Sequence, residues 1–317
     1  MMIDVLISLA NGLFAWTIMA VLLSWILAGA YPFLVYSSSK AKTNHAALFT
    51  FIYGLIAPAS ATISLVILSL PALAFPLIAD HCHDVICEPH VLYMHTNTVE
   101  GVVTIAATIT FVTGIFILMA AQLFRGRRQL LALSQLSVTS STSYRIVDSK
   151  EHLAWCAGLL RPIVYLSQGL LNDLSAQQVR MILLHELSHA IRRDNLRKWL
   201  IHWATVVWPK HRKDMIRRRL SSLHERICDL TAAKAVGDSA ELSNIVESLE
   251  QYQSVKNGNA IHRNEFQLRV NTLDYEYSAI SNSSDCFRVG GFVAALWFVL
   301  TIAAIHFGHP FLEWLSR

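Results

Sequence analysis

"SAQQVRMILLHELSHAIRRDN", Ser175 to Asn195, decides how the rest of the chain is read. Ser175 followed three residues later by Gln178 forms a capping-box pattern, and Val179, Ile182 and Leu183 then recur at helical spacing. The pattern predicts a helix that starts at Ser175 and carries His185, Glu186 and His189. Residues four apart share a helix face, so His185 and His189 can offer imidazoles to one ion, with Glu186 beside them in reach of a metal-bound water. The flanking "MILL" and "AI" predict a mostly buried helix. A buried glutamate between two histidines costs several kcal/mol unless it is paired or metal-bound. That favours a metal site over a polar helix with two solvated histidines.

A zinc hydrolase needs a third protein ligand and an open fourth position. Downstream, "LHERICDLTAAKAVGD" places Glu225 and Asp229 four apart on an alanine-rich segment that predicts a helix ending at Gly237. Glu225 can complete a His-His-Glu site for one Zn2+ per chain. Asp229 can accept a ligand histidine's ring N–H and hold its tautomer. A plain carboxylate face remains open on spacing alone.

The surrounding composition is that of a membrane protein: 54% hydrophobic and 15% charged, against roughly 25% charged in soluble domains. Four stretches without Asp, Glu, Lys or Arg are long enough to cross a bilayer: about 5–31, 46–70, 101–124 and 292–311. The expected plan is a membrane region over 1–124 with three spans and an outer loop at 80–100. A domain over 125–290 follows, and 291–317 supplies a fourth span and a short outer tail. Pro58 predicts a kink in the second stretch, and Pro71 and Pro76 a break after it. Lys40, Lys42, Arg125, Arg127, Arg128 and Arg288 flank the spans on one side, whereas 80–100 carries Asp80, Asp84, Glu88 and Glu100 with no Lys or Arg. The positive-inside rule therefore predicts a cytoplasmic domain, both termini outside, and a place in the inner (cytoplasmic) membrane. Only the amino terminus is basic before the first span, so a cleaved secretory signal is not expected.

The net charge of +4 is densest in "PKHRKDMIRRRL", Pro209 to Leu220, which reads as a solvated or headgroup-facing surface. No aromatic-interleaved or helix-turn-helix pattern points to direct nucleic-acid binding. In the outer loop, "DHCHDVICEPHVLYMH" sets Cys82 and Cys87 near His81, His83, His90 and His95. Two readings stay open there: a disulfide-pinned loop, or a metal- or redox-responsive sensor. "SQLSVTSSTSYR", Ser134 to Arg145, reads as a polar linker exposed enough for self-cleavage.

"GLLRPIVYLSQGLLNDLSAQQVRMILLHELSHAIRRDN" followed by "ERICD" resembles the BlaR/MecR family of membrane zinc metallopeptidases: a proline-containing strand, H-E-x-x-H, a basic pair with Asp, then E-x-x-C-D. The resemblance covers about 143–237. It implies an α-helical membrane protein with a mainly α (α+β) gluzincin domain, three spans before it and one after. It also implies zinc on His185, His189 and Glu225, Glu186 as general base and Asp229 behind the ligands. Gluzincins generally pair an edge strand with the substrate backbone. Pro162, Ile163, Val164 and Tyr165 are the expected substrate strand here, with a core strand as the other reading. For the oxyanion donor, Tyr165, His202 and His224 are candidates. Sensor members of the family carry a penicillin-binding domain after the last span; here only "GHPFLEWLSR" follows, which speaks against direct sensing by acylation. The expected partner is a cytoplasmic protein substrate, with a transcriptional repressor as one candidate, besides the lipid bilayer; a homo-oligomer stays open. Two other functions are carried. One is quality control, as in the HtpX and CAAX prenyl protease family, against which "WLIHWATVVW" is too short to cross between the ligands. The other is a non-catalytic zinc-containing receptor or scaffold, against which Glu186 speaks.

Overall fold

A computed structural model describes residues 2–37, 42–70, 98–139, 143–236 and 284–316. In chain order these form α1 (Met2–Ser37), α2 (Thr43–Ser69), α3 (Val99–Gln135), β1 (Ser137–Thr139), β2 (Tyr144–Val147), β3 (Ala154–Ala157), β4 (Ile163–Ser167), α4 (Gln168–Asp173), α5 (Ala176–Arg192), α6 (Asp194–Ala204), α7 (Lys210–Val236) and α8 (Ser284–Ser316).

Four helices, α1, α2, α3 and α8, are long and apolar enough to cross a membrane. They run longer than the charge-free stretches. α1 continues past Tyr31 to Ser37 through Pro32, and α3 continues past Phe124, through its basic run, to Gln135. At 1.5 Å per residue α1 is about 54 Å long, against a hydrocarbon core of about 30 Å. α2 passes through Pro58, whose carbonyl accepts the Thr62 hydroxyl at 2.8 Å, and ends at Ser69, with the extended Leu70 as its cap. In lipid, helices approach closely where side chains are small. α2 presents Ala57, Ser60, Ala61 and Ser64, all buried, and α8 packs on it with the Thr301 hydroxyl donating to Ser60 Oγ at 3.0 Å. α3 lies at the side, with Phe111, Phe116, Ile117 and Leu118 exposed as a lipid-facing surface would be.

The domain begins with a four-stranded sheet of order β1-β2-β4-β3. Among the described residues of the polar stretch 134–145, read as an exposed linker, are β1 and the start of β2, and Arg145 ties these strands by donating to Ser137 Oγ at 2.7 Å and to the carbonyls of Ser134 and Ser137. β4 pairs with β2 on one side, parallel, and with β3 on the other, antiparallel. Val164 and Tyr165 are therefore interior, paired on both sides, while Ile163 pairs with β3 alone and Pro162 precedes the strand, so the expectation of a substrate-pairing edge at 162–165 is corrected at Val164 and Tyr165. The edge nearest α5 is β3. Its turn into β4 uses Gly158 at φ 108°, where an added Cβ would meet Arg161 O at 2.9 Å.

Val164 and Leu166 of β4 pack with Leu170, Met181, Ile182, Leu230, Ala232 and Ala233, joining the sheet to α5 and the end of α7. A second core is shared between domain and membrane helices. Ile201 of α6, Trp208, and Ile216 and Leu220 of α7 are buried among Leu27 and Tyr31 of α1 and Tyr53 and Ile56 of α2. Gly54 permits this approach, since a Cβ there would lie 2.5 Å from Ile201 Cδ1. The run "WLIHWATVVW" thus ends α6 and turns toward α7 against the membrane bundle without crossing it.

Candidate metallopeptidase site

The capping box at Ser175 forms as the sequence predicts: its hydroxyl accepts Gln178 N–H at 3.3 Å while Gln178 Oε1 accepts Ser175 N–H at 3.0 Å. α5 then carries His185, Glu186 and His189 toward α7, which brings Glu225 and Asp229. Glu225 Oε2 lies 3.5 Å from His185 Nε2 and 3.5 Å from His189 Nε2. Two ligands about 2.05 Å from one zinc at a tetrahedral angle stand about 3.4 Å apart. The donor spacing fits that ion, and His185, His189 and Glu225 are a set able to hold it.

Each imidazole is held from behind. His185 Nδ1 lies 2.9 Å from Asp229 Oδ1, and His189 Nδ1 lies 2.9 Å from Asp194 Oδ2. A carboxylate at Nδ1 fixes the proton there and leaves the Nε2 lone pair for an ion. Asp229 was legible as this partner; Asp194 was not. It reaches His189 because Arg193 takes a left-handed conformation, φ 53° and ψ 45°, which ends α5 and starts α6 in one residue. Next to it, Asn195 Nδ2 donates to Cys156 O at 3.0 Å and pins β3 to the helix junction. "RDN" is the signal that could have suggested these roles, since Asp and Asn favour helix starts.

The cluster favours positive charge. Burial alone would lower the His185 pKa, but hydrogen bonds and charge from Asp229 and Glu225 outweigh it and hold it up at about 10. His189 is raised in the same way, against burial, by Asp194 and Glu225. Burial would raise Glu225, yet both histidines hold it well below the usual carboxylate range. Burial raises Glu186, against the pull of His185 and His189 and a hydrogen bond with the Cys156 backbone. A carboxylate raised by burial beside two imidazoles is suited to take up and return a proton.

The other sequence candidates fall elsewhere. Tyr165 is fully buried and stacked on Trp155 at 5.4 Å; alternation along β4 turns it from the face that packs on α5. His202 is near the far end of α6 from Asp194, against Trp203. His224 is fully buried, Nδ1 3.5 Å from Asp194 Oδ1. Cys228 is buried with Sγ 3.3 Å from His189 Nδ1, and its sulfur, a His189 nitrogen and an Asp194 oxygen lie within 4.8 Å of one another. Cys82, Cys87, His81 and His83 lie outside the described residues.

An H-E-x-x-H helix with a carboxylate from a second helix at ligand spacing defines the metallopeptidase class. Residues 103–243, which are 141 of the 317, match the profile of peptidase family M48 (Peptidase_M48), and this stretch contains β1 to β4, both site helices and α6. No curated protein and no solved structure matches the chain. The match supports a metallopeptidase of the membrane type, and four helices among the described residues are long and apolar enough to cross a membrane; the matched name is that of M48.

Proposed function

We propose that this protein is a membrane-embedded zinc endopeptidase that cleaves a cytoplasmic protein, with zinc held by His185, His189 and Glu225. The carrying observation is the meeting of two Nε2 atoms and one carboxylate oxygen at 3.5 Å, with Glu186 one residue from a ligand on the same helix. Zinc bound there would polarise the scissile carbonyl and lower the pKa of water. Glu186, raised by burial, takes the proton of the attacking water at its carboxylate and returns it to the departing amine nitrogen. Asp229 and Asp194 keep the Nδ1 protons in place, so both imidazoles stay correctly oriented through the cycle. β3, at the sheet edge beside α5, is the strand an extended substrate would follow.

Cytoplasmic placement of the site rests on the basic residues at 40, 42, 125, 127 and 128, and a repressor substrate on the BlaR/MecR resemblance. Quality control of membrane proteins is the second reading, favoured by a match that names a peptidase family and no signalling role. The test compares purified wild type with Glu186→Gln and Glu225→Ala for zinc content and for cleavage of a cytoplasmic extract, read by terminal-amine mass spectrometry. Glu186→Gln should keep zinc and lose specific cuts, and Glu225→Ala should lose zinc. Cuts confined to one soluble regulator support signalling, and cuts spread over misfolded membrane proteins support quality control. Zinc retained with no Glu186-dependent cut would leave a scaffold. A reporter at Asn195 that reads as external would remove the cytoplasmic substrate.

A further inference from the structure

Lys198 stands one helical turn after Asp194 on α6, so the two side chains share a face. Its Nζ lies 3.5 Å from Glu225 Oε1, while the other carboxylate oxygen, Oε2, is the atom 3.5 Å from both Nε2 atoms. Both side chains are about a third exposed, 34% and 30%, which places the pair at the open margin of the site. Asp194 therefore holds one ligand, His189, and Lys198 holds another, Glu225, from consecutive turns of one short helix.

We propose that Lys198 is a positioning residue that keeps Glu225 a one-oxygen ligand and so preserves the open position for water and substrate. A carboxylate can give a metal one oxygen or two. A two-oxygen Glu225 would occupy the place the hydrolytic water needs, because three protein ligand atoms must leave one position free. An ammonium on Oε1 competes for that second oxygen with a charge-assisted hydrogen bond. A neutral hydrogen-bond donor would compete less, and an apolar side chain not at all. The inference rests on the metallopeptidase reading above and adds to it what selects the binding mode of the third ligand.

The test uses the full chain in detergent with cobalt(II) replacing zinc, because visible absorption distinguishes four-coordinate from higher-coordinate cobalt whether or not a substrate is known. Wild type, Lys198→Met and Lys198→Arg are compared for metal stoichiometry, cobalt spectrum, kcat, KM and the pH profile. Lys198→Met should still bind one metal, with weaker visible absorption, as a fifth ligand oxygen would give. It should lose about ten- to a hundredfold in kcat with KM little changed, the range typical of groups that orient metal ligands. Lys198→Arg should restore the spectrum and most of the rate. A Lys198→Met protein with an unaltered cobalt spectrum would overturn the proposal, and a fallen kcat beside that spectrum would make Lys198 a substrate contact instead. Wild type that takes up no cobalt would overturn the metallopeptidase reading and this proposal with it; uptake with an unchanged variant spectrum sinks this proposal alone.

Discussion

At the scale of single residues, the site is a set of atoms whose neighbours decide their charge. Asp229 and Asp194 each sit fully buried 2.9 Å from a histidine Nδ1. Replacing either by Asn keeps the shape and removes the charge that fixes the imidazole. Asp229→Asn and Asp194→Asn should each weaken zinc binding by about ten- to a hundredfold, measured by competition with a chromogenic chelator. The same carboxylates set a pH dependence. His185 is held up at about 10 without metal, and His189 is raised as well, so zinc must displace protons from them. Affinity should therefore rise with pH through neutrality, by about tenfold per pH unit for each proton displaced. Calorimetry in buffers of different ionisation enthalpy should find between about one and two protons released per zinc at about pH 7. For the metal-free protein the sign is opposite: a raised histidine contributes stability below about pH 6.5 that is lost as pH climbs through about 10, so its Tm should fall over that range. His185, Glu186 and His189 could be read from helix periodicity, whereas the four-residue spacing of Glu225 and Asp229 left a plain carboxylate face open and the BlaR/MecR resemblance singled them out. Asp194, Asn195 and Lys198 were not legible, because "RDN" hints only at a helix start, and the reach of these side chains depends on a positive φ at Arg193 that the local sequence does not specify.

At the scale of elements, the sheet rearranges the roles that the sequence suggested. "RPIVYLS" has the apolar, β-branched look of a strand, and a strand it is, but a buried one. "AWCA" is four residues long with two alanines and carries little strand signal, yet it takes the edge beside α5. Strand order depends on contacts between residues far apart in the chain, which local pattern does not encode. Leu153 O accepts Ser167 N–H, so alternation points the backbone of Ala154 and Cys156 away from β4. Cys156 bears this out by bonding Asn195 and Glu186. A proline at 154 removes an outward N–H without breaking a β4 bond, as edge strands tolerate. Ala154→Pro should retain zinc and Tm within a few degrees while kcat/KM on a peptide substrate falls roughly tenfold, the worth of one main-chain hydrogen bond. An unchanged kcat/KM would remove β3 as the substrate strand.

At the scale of the whole molecule, the membrane helices and the catalytic domain share one interior. The four long apolar helices were plain from composition, but their packing onto the domain was not, because apolar runs look alike whether they meet lipid or protein. Tyr31, Tyr53 and Trp208 form a triangle of rings 5.9 to 6.3 Å apart, with one corner from each of α1, α2 and the α6–α7 turn. Trp25 Nε1 donates to Val207 O at 3.1 Å, and Gln122 Oε1 accepts from both Trp199 and Trp203. The length of α1 beyond what a bilayer needs gives it residues to spend on this contact. α6 is then fixed at both ends, by Ile201 against Gly54 and by Asp194 at His189 and Lys198 at Glu225. A fragment covering 125–290 would strip Ile201, Trp208, Ile216 and Leu220 of their membrane partners, and each fully buried apolar side chain of this size contributes about 1.5–3 kcal/mol. Since a domain is stable by only about 5–15 kcal/mol, that loss is comparable with the whole. Expressed without α1 and α2, the fragment should aggregate or bind a hydrophobic dye, lack a cooperative thermal transition, and bind zinc at least tenfold more weakly than the full chain in detergent, because α6 no longer holds Asp194 under His189. A soluble fragment with full zinc affinity and a sharp transition would show instead that the domain folds independently and that the shared core only anchors it.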